Sequence, residues 1–279
     1  MANYEQQWSS ATPGLLVILL DQSGSMLEPF NEKESKTVSA TKAVNRVIDT
    51  IIEKNYDGEA PKNRGFISVI GYNHNIKEEC SGWLKDLACS QKRIEEILKK
   101  VPDGAGGIVE IKKKMPIWVE PITQDGSTNM KSAFRAAKDI ISQWVQKYPD
   151  SPAPVIINIS DGCPFYDWKD PRVCMEETTQ VVKEIMNLKT NDGEVLVFNA
   201  RIDTDGESVV FPTSKDMLQS EEARFLFEIS SVIPEAYYPA ADKNGLKVSA
   251  GSKGCIFQAD EVQLIQLIDF GSSKGQADR

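Results

Sequence analysis

Three oxygen-bearing side chains alternate along a short segment that follows an apolar run. Asp21, Ser23 and Ser25 stand in Asp-Gln-Ser-Gly-Ser-Met, directly after the apolar residues 14–20. Ligands of an open parallel sheet bind at the carboxyl ends of its strands, and Gly24 would allow a tight turn that brings the three side chains to one point. Such a set of oxygen donors suits a hard cation such as Mg²⁺. The same residue types are also common in ordinary turns that lead to a helix, so the segment alone leaves both interpretations open.

The spacing Asp-x-Ser-x-Ser after an apolar strand resembles the metal-ion-dependent adhesion site of the von Willebrand factor A domains. The resemblance implies two more ligands at a distance, and the sequence offers a match for each. Thr128 stands in Gly-Ser-Thr-Asn before a predicted helix, and Asp161 stands in Ile-Ser-Asp-Gly after a predicted strand. The metal ligands that the resemblance implies are Asp21, Ser23, Ser25, Thr128 and Asp161.

The resemblance extends over residues 14–270 and implies a protein-binding module that is not an enzyme. Its Mg²⁺ or Mn²⁺ would hold an acidic side chain of a protein partner. Two carboxylates neutralise a divalent ion, and hydroxyls add neutral oxygens, so one of the six positions that Mg²⁺ prefers stays open for water or for the partner. Within the family, the chain is most similar to the bacterial cytoplasmic group of TerY-like proteins from tellurium-resistance clusters. That likeness implies a partner in a protein kinase or phosphatase system.

A metal-dependent hydrolase or phosphatase using the same site is the main alternative. An enzyme of the haloacid-dehalogenase type also places an Asp after its first strand, but it needs a second Asp two residues on, where this chain has Ser23. Phosphoryl transfer through Asp21 would therefore lack its general acid. His74, the only histidine, stands in a polar turn and is expected to face solvent. A structural subunit with a vestigial site is the third hypothesis.

The elements that would position these residues alternate between short apolar runs and longer amphipathic segments, as parallel strands joined by crossover helices do. The predicted strands are residues 14–20, 66–72, 155–160, 195–200 and 255–258, with a further strand at 83–87. The predicted helices are residues 35–54, 93–100, 129–147, 172–188, 214–230 and 261–269. This pattern predicts an α/β fold with a Rossmann-like, doubly wound, mostly parallel central sheet of about six strands and helices on both faces.

The chain of 279 residues, 41% of them hydrophobic, is expected to form one domain over residues 14–270. Residues 1–13 are expected to form an N-terminal tail, and residues 271–279 a flexible C-terminal tail. Residues 102–123 contain Gly-Ala-Gly-Gly and three consecutive lysines and are expected to be an exposed excursion. These glycines lack the Lys-Ser/Thr ending of a phosphate-binding loop, so they are interpreted as a flexible loop.

The charge and the cysteine content indicate which kind of partner and which cellular compartment to expect. The 41 acidic and 32 basic residues are mixed along the chain, which argues against a nucleic-acid partner. No signal-peptide pattern precedes residue 14, and the apolar run is too short to span a bilayer, so a cytoplasmic protein without a membrane partner is expected. Five cysteines without a CxxC pair predict free thiols. Residues 203–207 miss the spacing of an EF-hand and are expected to be a surface turn.

Overall fold

The structure, a computed structural model, describes residues 3–102, 108–203 and 208–275, and for residues 98–102 and 108–111 the backbone only. The strands in these ranges are β1 (Gly14–Asp21), β2 (Tyr56–Asp57), β3 (Ala60–Pro61), β4 (Gly65–Tyr72), β5 (Ile76–Trp83), β6 (Arg93–Pro102), β7 (Ile108–Ile117), β8 (Val155–Ser160), β9 (Leu196–Arg201), β10 (Val209–Val210) and β11 (Cys255–Phe257). The helices are α1 (Lys36–Lys54), α2 (Leu84–Leu87), α3 (Met130–Lys147), α4 (Pro171–Met186), α5 (Glu221–Glu228), α6 (Tyr238–Lys243) and α7 (Glu261–Gly271).

Seven strands form the central sheet, in the order β10-β11-β9-β8-β1-β4-β5. Strand β1 pairs in parallel with β4 on one side and with β8 on the other, and β8, β9 and β11 continue in parallel. The edge strands β5 and β10 are antiparallel. The chain therefore winds outward from β1 in both directions, and the order reverses between β1 and β8. The predicted α/β, Rossmann-like, mostly parallel sheet is confirmed.

Strand β1 is the centre of the core because it is apolar on both faces. All eight of its residues are buried, and alternate side chains of a strand point to opposite faces of the sheet. Leu16, Ile18 and Leu20 pack into the cluster that contains the apolar faces of α1 and α7. Leu15, Val17 and Leu19 pack into the cluster that contains those of α3, α4 and α5. Helices thus cover both faces, which fixes the carboxyl end of β1 between two rigid layers.

The helix predicted at residues 93–100 is wrong. This segment is strand β6, which pairs antiparallel with β7 along its whole length, from Arg93 opposite Ile117 to Pro102 opposite Ile108. A short apolar pattern does not separate a helix turn from a strand, and the pairing with a segment later in the chain decides the outcome. The excursion expected at residues 102–123 thus contains β7, the second strand of a long hairpin, while the glycine-rich residues 103–107 lie outside the described residues.

Two other predicted elements differ in detail. A strand was expected at residues 83–87. In the structure, strand β5 precedes this segment and ends at Trp83, and the segment itself forms the short helix α2. The helix expected at residues 214–230 is divided into a 3-10 turn, Lys215–Met217, and the helix α5. The division falls at Ser220, whose side chain caps α5 by accepting a hydrogen bond from the amide of Ala223 at 3.1 Å.

Both chain segments that the sequence predicts to be tails pack on the domain. The indole of Trp8 lies against Gly14, Gly65 and Gly275, where a Cβ atom would come within 1.8, 2.1 and 2.5 Å of it. The Trp8 amide donates to the Lys274 carbonyl at 2.9 Å, and residues 273–275 form a 3-10 turn. The flexibility predicted from residue 271 therefore does not apply to residues 271–275, and residues 276–279 lie outside the described residues.

Other expectations concern single features of the chain. All five cysteines are free, as predicted. His74 is exposed in the turn between β4 and β5, again as predicted. Among the described helices, none combines the length and the apolar character that crossing a bilayer requires. Of the predicted surface turn at residues 203–207, residues 204–207 lie outside the described residues.

Candidate metal centre

Asp21 and Asp161 face the same crevice although 140 positions separate them. Asp21 is the last residue of β1, and Asp161 directly follows the last residue of the neighbouring strand β8. Because β1 and β8 are parallel and the strand order reverses between them, their carboxyl ends form the crevice in which doubly wound sheets bind ligands. Both carboxylates are buried there, with Asp21 fully enclosed and Asp161 7% exposed.

The loop after β1 is fixed by its own backbone and by a neighbouring loop. The Ser23 amide donates to Asp21 Oδ1 at 2.8 Å, and the Gly24 amide donates to the carbonyl of Gly126 at 2.9 Å. A 3-10 turn, Gly24–Leu27, follows, and Met26 anchors it in the core. Gly24 is not among the described glycines with positive φ. From the sequence, Gly24 was expected to allow the turn through its backbone freedom. The backbone conformation in the structure does not require a glycine there.

Hydrogen bonds connect the serines of this loop to the second carboxylate. The hydroxyls of Ser23 and Ser25 lie 3.2 Å apart, and the Ser25 hydroxyl donates to Asp161 Oδ1 at 2.8 Å. Together with the bond from the Ser23 amide to Asp21, these contacts form one continuous chain. The structure thus brings together four of the five residues predicted as metal ligands.

Thr128 lies next to this group without a direct contact to it. Its backbone pairs with Phe165 through two hydrogen bonds of 2.9 Å, and its side chain is nearly buried. The segment that carries it is held against the β1 loop by the Gly126 carbonyl, which accepts from Gly24. Within the described part of the chain, the Thr128 hydroxyl makes no hydrogen bond to the other four predicted ligands.

The two carboxylates repel each other. Burial, together with the negative charge of Asp161, raises the pKa of Asp21 to about 7. The hydroxyl of Ser160, which donates to Asp21 Oδ2 at 2.5 Å, and the hydrogen bonds from Ser23 favour the charged form and only partly offset the rise. A cation between the carboxylates would remove the repulsion, which is the electrostatic property that a divalent-metal site requires.

A lysine that the sequence analysis did not identify also contacts the site. Lys36, the first residue of α1, places its ammonium 2.9 Å from Asp161 Oδ2 and 2.9 Å from Glu28 Oε2. Its side chain is 8% exposed. Burial lowers the pKa of Lys36, but the hydrogen bonds to the two carboxylates outweigh this effect and raise it. No motif spacing signals Lys36, because its role depends on how α1 packs beside β8.

The donor atoms fit a hard divalent cation. They are two carboxylates and neutral hydroxyls, the oxygen ligands that Mg²⁺ and Mn²⁺ prefer. Over the described residues, no three side chains of His, Cys, Asp or Glu converge on one point, so the soft-ligand arrangement of a structural zinc site is not built there. A bound metal would have to share Asp161 with the Lys36 ammonium.

A line of buried polar side chains supports the crevice from below. The Tyr72 hydroxyl donates to Asn158 Oδ1 at 2.9 Å, and Asn158 Nδ2 donates to Asn199 Oδ1 at 3.0 Å. Asn199 Nδ2 in turn donates to the Ser230 hydroxyl at 2.8 Å. These bonds connect β4, β8 and β9 two residues below Ser160. A fully satisfied buried network makes the local structure rigid, so it fixes the carboxyl end of β8 from which Asp161 projects.

The chain matches no known protein-family model and no curated protein. Solved structures are similar to it at low identity. A mutant of the PilB minor pilin from Streptococcus sanguinis has 13% identity and a TM-score of 0.48, with 95% of this chain and 62% of that chain covered. Proximal thread matrix protein 1 from the mussel byssus, with a zinc-occupied MIDAS motif, has 11% identity and a TM-score of 0.47, with 95% and 48% covered.

A third similar structure is the ArnB paralog VWA2 from Sulfolobus acidocaldarius, with 18% identity, a TM-score of 0.34, and 70% of this chain and 36% of that chain covered. The chain spans less than two thirds of the length of each of these three proteins. At these identities and TM-scores, the assignment of the fold rests on the strand order and register of the sheet itself.

Proposed function

We propose that this chain is a divalent-metal-dependent protein-binding module of the von Willebrand factor A type and not an enzyme. The observation that carries the proposal is the unbroken chain of contacts from Asp21 through Ser23 and Ser25 to Asp161. These residues come from two distant parts of the sequence and meet at the crevice between β1 and β8. The metal, Mg²⁺ or Mn²⁺, is held by Asp21, Ser23, Ser25, Thr128 and Asp161.

The bound metal supplies a Lewis-acidic position for one carboxylate of a partner protein. The two aspartates neutralise the dication, while the neutral hydroxyls add ligands without further charge, so the metal keeps its affinity for an incoming anion. Lys36 reinforces this effect, because its ammonium withdraws negative charge from Asp161. In this proposal Thr128, whose backbone pairs with Phe165, supplies the hydroxyl ligand beside the position that the partner's carboxylate takes.

The alternative, a metal-dependent hydrolase or phosphatase at the same site, lacks support for proton transfer. Ser23 occupies the position where a haloacid-dehalogenase-type enzyme carries its acid. The only histidine, His74, lies in the exposed turn after β4, and no hydrogen bond between the described residues connects it to the two aspartates. Lys36, the nearest cation, is committed to Asp161 and Glu28.

The proposal also covers the kind of partner and the cellular location. The likeness to the bacterial TerY-like group supports a regulatory partner in a protein kinase or phosphatase system, or in a stress-response cluster similar to those of tellurium resistance, within the cytoplasm. A net charge of −9 favours a protein over a nucleic acid as the partner. The feature of the partner that the site itself requires is an accessible aspartate or glutamate.

Calorimetric titration with Mg²⁺ and with Mn²⁺ tests the metal. The matched set is the unmodified chain, Asp21→Asn, Asp161→Asn and the control Asp139→Asn, an exposed carboxylate on α3. We expect the first two variants to lose at least tenfold in affinity, a change of about 1.4 kcal/mol or more, and the control to bind normally. Equal affinity in all four proteins would refute the site, provided that melting curves show folded variants.

The variant Thr128→Ala distinguishes metal binding from partner binding. We expect this variant to keep measurable metal affinity but to lose the partner, because the hydroxyl lies at the side where the partner's carboxylate arrives. In native lysate, a partner retained with Mg²⁺ should be released by a chelator and absent with Asp21→Asn. Retention of the same partner in excess EDTA would refute metal-mediated recognition. Metal-dependent turnover of generic phosphoester substrates would support the hydrolase instead.

A further inference from the structure

The loop between β8 and α4 holds an aromatic side chain out into solvent. Trp168 is 93% exposed and Phe165 is 38% exposed. The two rings meet edge to face, with centroids 6.1 Å apart and an interplanar angle of 89°. At 93% exposure, the indole stays almost wholly accessible in spite of this contact. Large exposed apolar side chains that cluster beside a functional site commonly mark binding surfaces.

The backbone holds this exposed ring in an unfavourable conformation. Asp167 and Trp168 both have positive φ, 56° and 54°, which costs about 1–2 kcal/mol per residue with a side chain. Aspartate tolerates this region better than most residues, but a bulky side chain such as Trp168 rarely adopts it. The loop is fixed on both sides of the strained pair: Phe165 pairs with Thr128 before it, and Lys169 pairs with Glu177 after it.

Trp168 forms one wall of an acidic cleft, which we call the aromatic cleft. It is lined by His74, Asp125, Ser127, Phe165, Asp167 and Trp168, among others. No lysine or arginine lines it, and in the part of the chain that the structure describes neither Asp125 nor Asp167 takes part in an ion pair. The cleft therefore combines an exposed aromatic ring with two carboxylates that form no ion pair among the described residues, and the positive charge of Lys169 acts on Asp167 only from a distance.

Two lysines on and beside this loop contact Glu177 and Tyr166 and not Trp168. Lys131 and Lys169 both pair with Glu177. Their ammonium groups lie over the ring of Tyr166, at 4.8 and 5.5 Å from its centroid. The chain thus covers the tyrosine beneath the loop with its own cations but leaves Trp168 without one. Among the described residues, no lysine ammonium lies over the Trp168 ring, so that ring is open to a cation from another molecule.

We propose that the aromatic cleft binds the arginine side chain of a partner protein. A guanidinium stacks on an indole face and donates to carboxylates in its plane, which matches Trp168 flanked by Asp125 and Asp167. An arginine fits better than a lysine, because the compact and strongly hydrated ammonium loses more solvation on an aromatic face. The recognition requires no metal, so it stands independently of the proposed function.

The position of the cleft relates the two sites. Asp125 precedes Gly126, whose carbonyl accepts from Gly24 in the metal-binding loop, and Phe165 pairs with Thr128. A partner that presents a carboxylate to the metal would therefore bring its neighbouring residues to the cleft. The preferred partner segment carries an arginine close to its metal-binding acid, and the cleft supplies specificity that a metal ion alone lacks.

The test uses N-acetyl-arginine amide as the probe and follows the Trp168 indole N–H resonance, which is assigned with Trp168→Phe. We expect a saturable shift of this resonance with a dissociation constant in the millimolar range, corresponding to about 4 kcal/mol. The shift should be the same in EDTA and in Mg²⁺. N-acetyl-citrulline amide, which has the same shape without the charge, should cause less than a tenth of the shift at equal concentration. Equal binding of citrulline, or no shift with arginine, would overturn the proposal.

Variants separate the cleft from the fold and from the metal centre. Trp168→Gly removes the ring at a backbone position that glycine favours, so the melting temperature should not fall while the affinity for the arginine probe drops at least fivefold. Asp167→Asn retains a residue type that accepts positive φ. This variant and Asp125→Asn should each lower the affinity for the arginine probe severalfold. Undiminished binding in these three variants would overturn the proposal. So would tighter binding of N-acetyl-lysine amide than of the arginine probe.

Discussion

The Lys36 ammonium lies 2.9 Å from Asp161 Oδ2, while Asp161 Oδ1 accepts the hydroxyl of Ser25 at 2.8 Å. The two oxygens of one carboxylate thus serve different partners, a fixed positive charge on one side and the serine loop on the other. Lys36 also pairs with Glu28, so its single positive charge is shared by two carboxylates. Among the described residues, Asp21 forms no ion pair; it accepts hydrogen bonds from Ser23 and Ser160 and is repelled by Asp161.

Replacing Lys36 should therefore destabilise the metal-free protein and increase its response to metal. Lys36→Met leaves Asp161 buried without its cation, a loss of up to about 3 kcal/mol for a pair of this kind. Added Mg²⁺ should then raise the melting temperature more than in the unmodified chain, because the dication replaces the missing charge and no longer competes with an ammonium. Scanning calorimetry with and without Mg²⁺ measures both effects.

The matched control is Lys42→Met, on the exposed side of the same helix. Lys42 pairs with Glu34 but is 56% exposed, and exposed ion pairs contribute about 0–1 kcal/mol. Its melting temperature and its response to metal should stay close to those of the unmodified chain. A smaller metal-induced rise in Lys36→Met than in the unmodified chain would show that Lys36 assists metal binding and does not compete with it.

Gly24 is restricted by a side chain and not by its own backbone angle. A Cβ atom at Gly24 would lie 1.7 Å from Asp125 Oδ1, which also accepts from the Gly126 amide at 2.7 Å. Gly24→Ala should displace Asp125, loosen the bond from Gly24 to Gly126, and lower the metal affinity severalfold.

A double-mutant cycle checks this reason for the glycine. Asp125→Ala alone should leave the metal affinity unchanged, and the combination of Gly24→Ala with Asp125→Ala should recover most of the loss. Calorimetric titration of the four proteins gives the coupling energy. If the double variant binds metal as weakly as Gly24→Ala, the contact with Asp125 is not the reason for the glycine.

Residues 272–275 should contribute measurably to stability. A chain that ends at Gly271 loses two acceptors, the Lys274 carbonyl for the Trp8 amide and the Gly275 carbonyl for Asn55 Nδ2. It also uncovers the indole of Trp8. We expect a loss of about 2–3 kcal/mol, or roughly 4–10 °C in melting temperature. A chain that ends at Gly275 keeps both acceptors and is the control, and equal melting temperatures for the two truncated chains would contradict the packing described here.

The buried ammonium of Lys274 leads to a prediction of how the stability of the protein depends on pH. Its ammonium is buried over the ring of Tyr237, 5.1 Å from the centroid, and burial lowers the pKa of Lys274. Below this lowered pKa, the folded protein carries an incompletely solvated charge. Between the lowered pKa and the unfolded value of about 10.4, the unfolded chain binds more protons, so stability from this group rises with pH.

Lys274→Met removes that charge and keeps a side chain of similar length. We expect it to stabilise the protein at pH 7 by on the order of 1 kcal/mol, with the advantage shrinking as the pH approaches about 10. The control is Lys247→Met, an exposed lysine, which should have no such pH-dependent effect. A gain that stays constant up to pH 10 would show that packing and not charge is responsible.

The parts of the structure that sequence reasoning predicted are those fixed by local pattern. Residues 14–20 of β1 are apolar at every position and Asp21 ends the strand, so the position of Asp21 at the carboxyl end of a central strand can be deduced directly. The meeting of Asp161 with Ser25 could be expected only from a known spacing of residues. Strand β6 was missed because Ile94, Ile97, Leu98 and Val101 recur in the sequence at helical spacing, and the pairing with β7 outweighs that pattern.

Contacts between distant segments explain the remaining differences. Lys36 stands in an ordinary first helical turn, and nothing near it in sequence indicates that its ammonium reaches Asp161. The small residues from Gly271 to Gly275 suggest flexibility by composition, yet at Gly275 the ring of Trp8 leaves no room for a Cβ atom. Trp168 has no periodic neighbours, so its exposure follows from the strained turn and not from any pattern of hydrophobicity.

The slot for Trp8 also determines how the domain is oriented when it is attached to something else. Gly14 and Gly65 begin β1 and β4, and the Trp8 amide meets the Lys274 carbonyl at that same pole of the molecule. Asp21 lies at the far end of β1, about 22–24 Å from Gly14 at the usual rise of a strand. An artificial attachment at Asn3 or Gly275 would therefore start at the pole opposite to the proposed metal site. A domain immobilised in this way would present that site to solution.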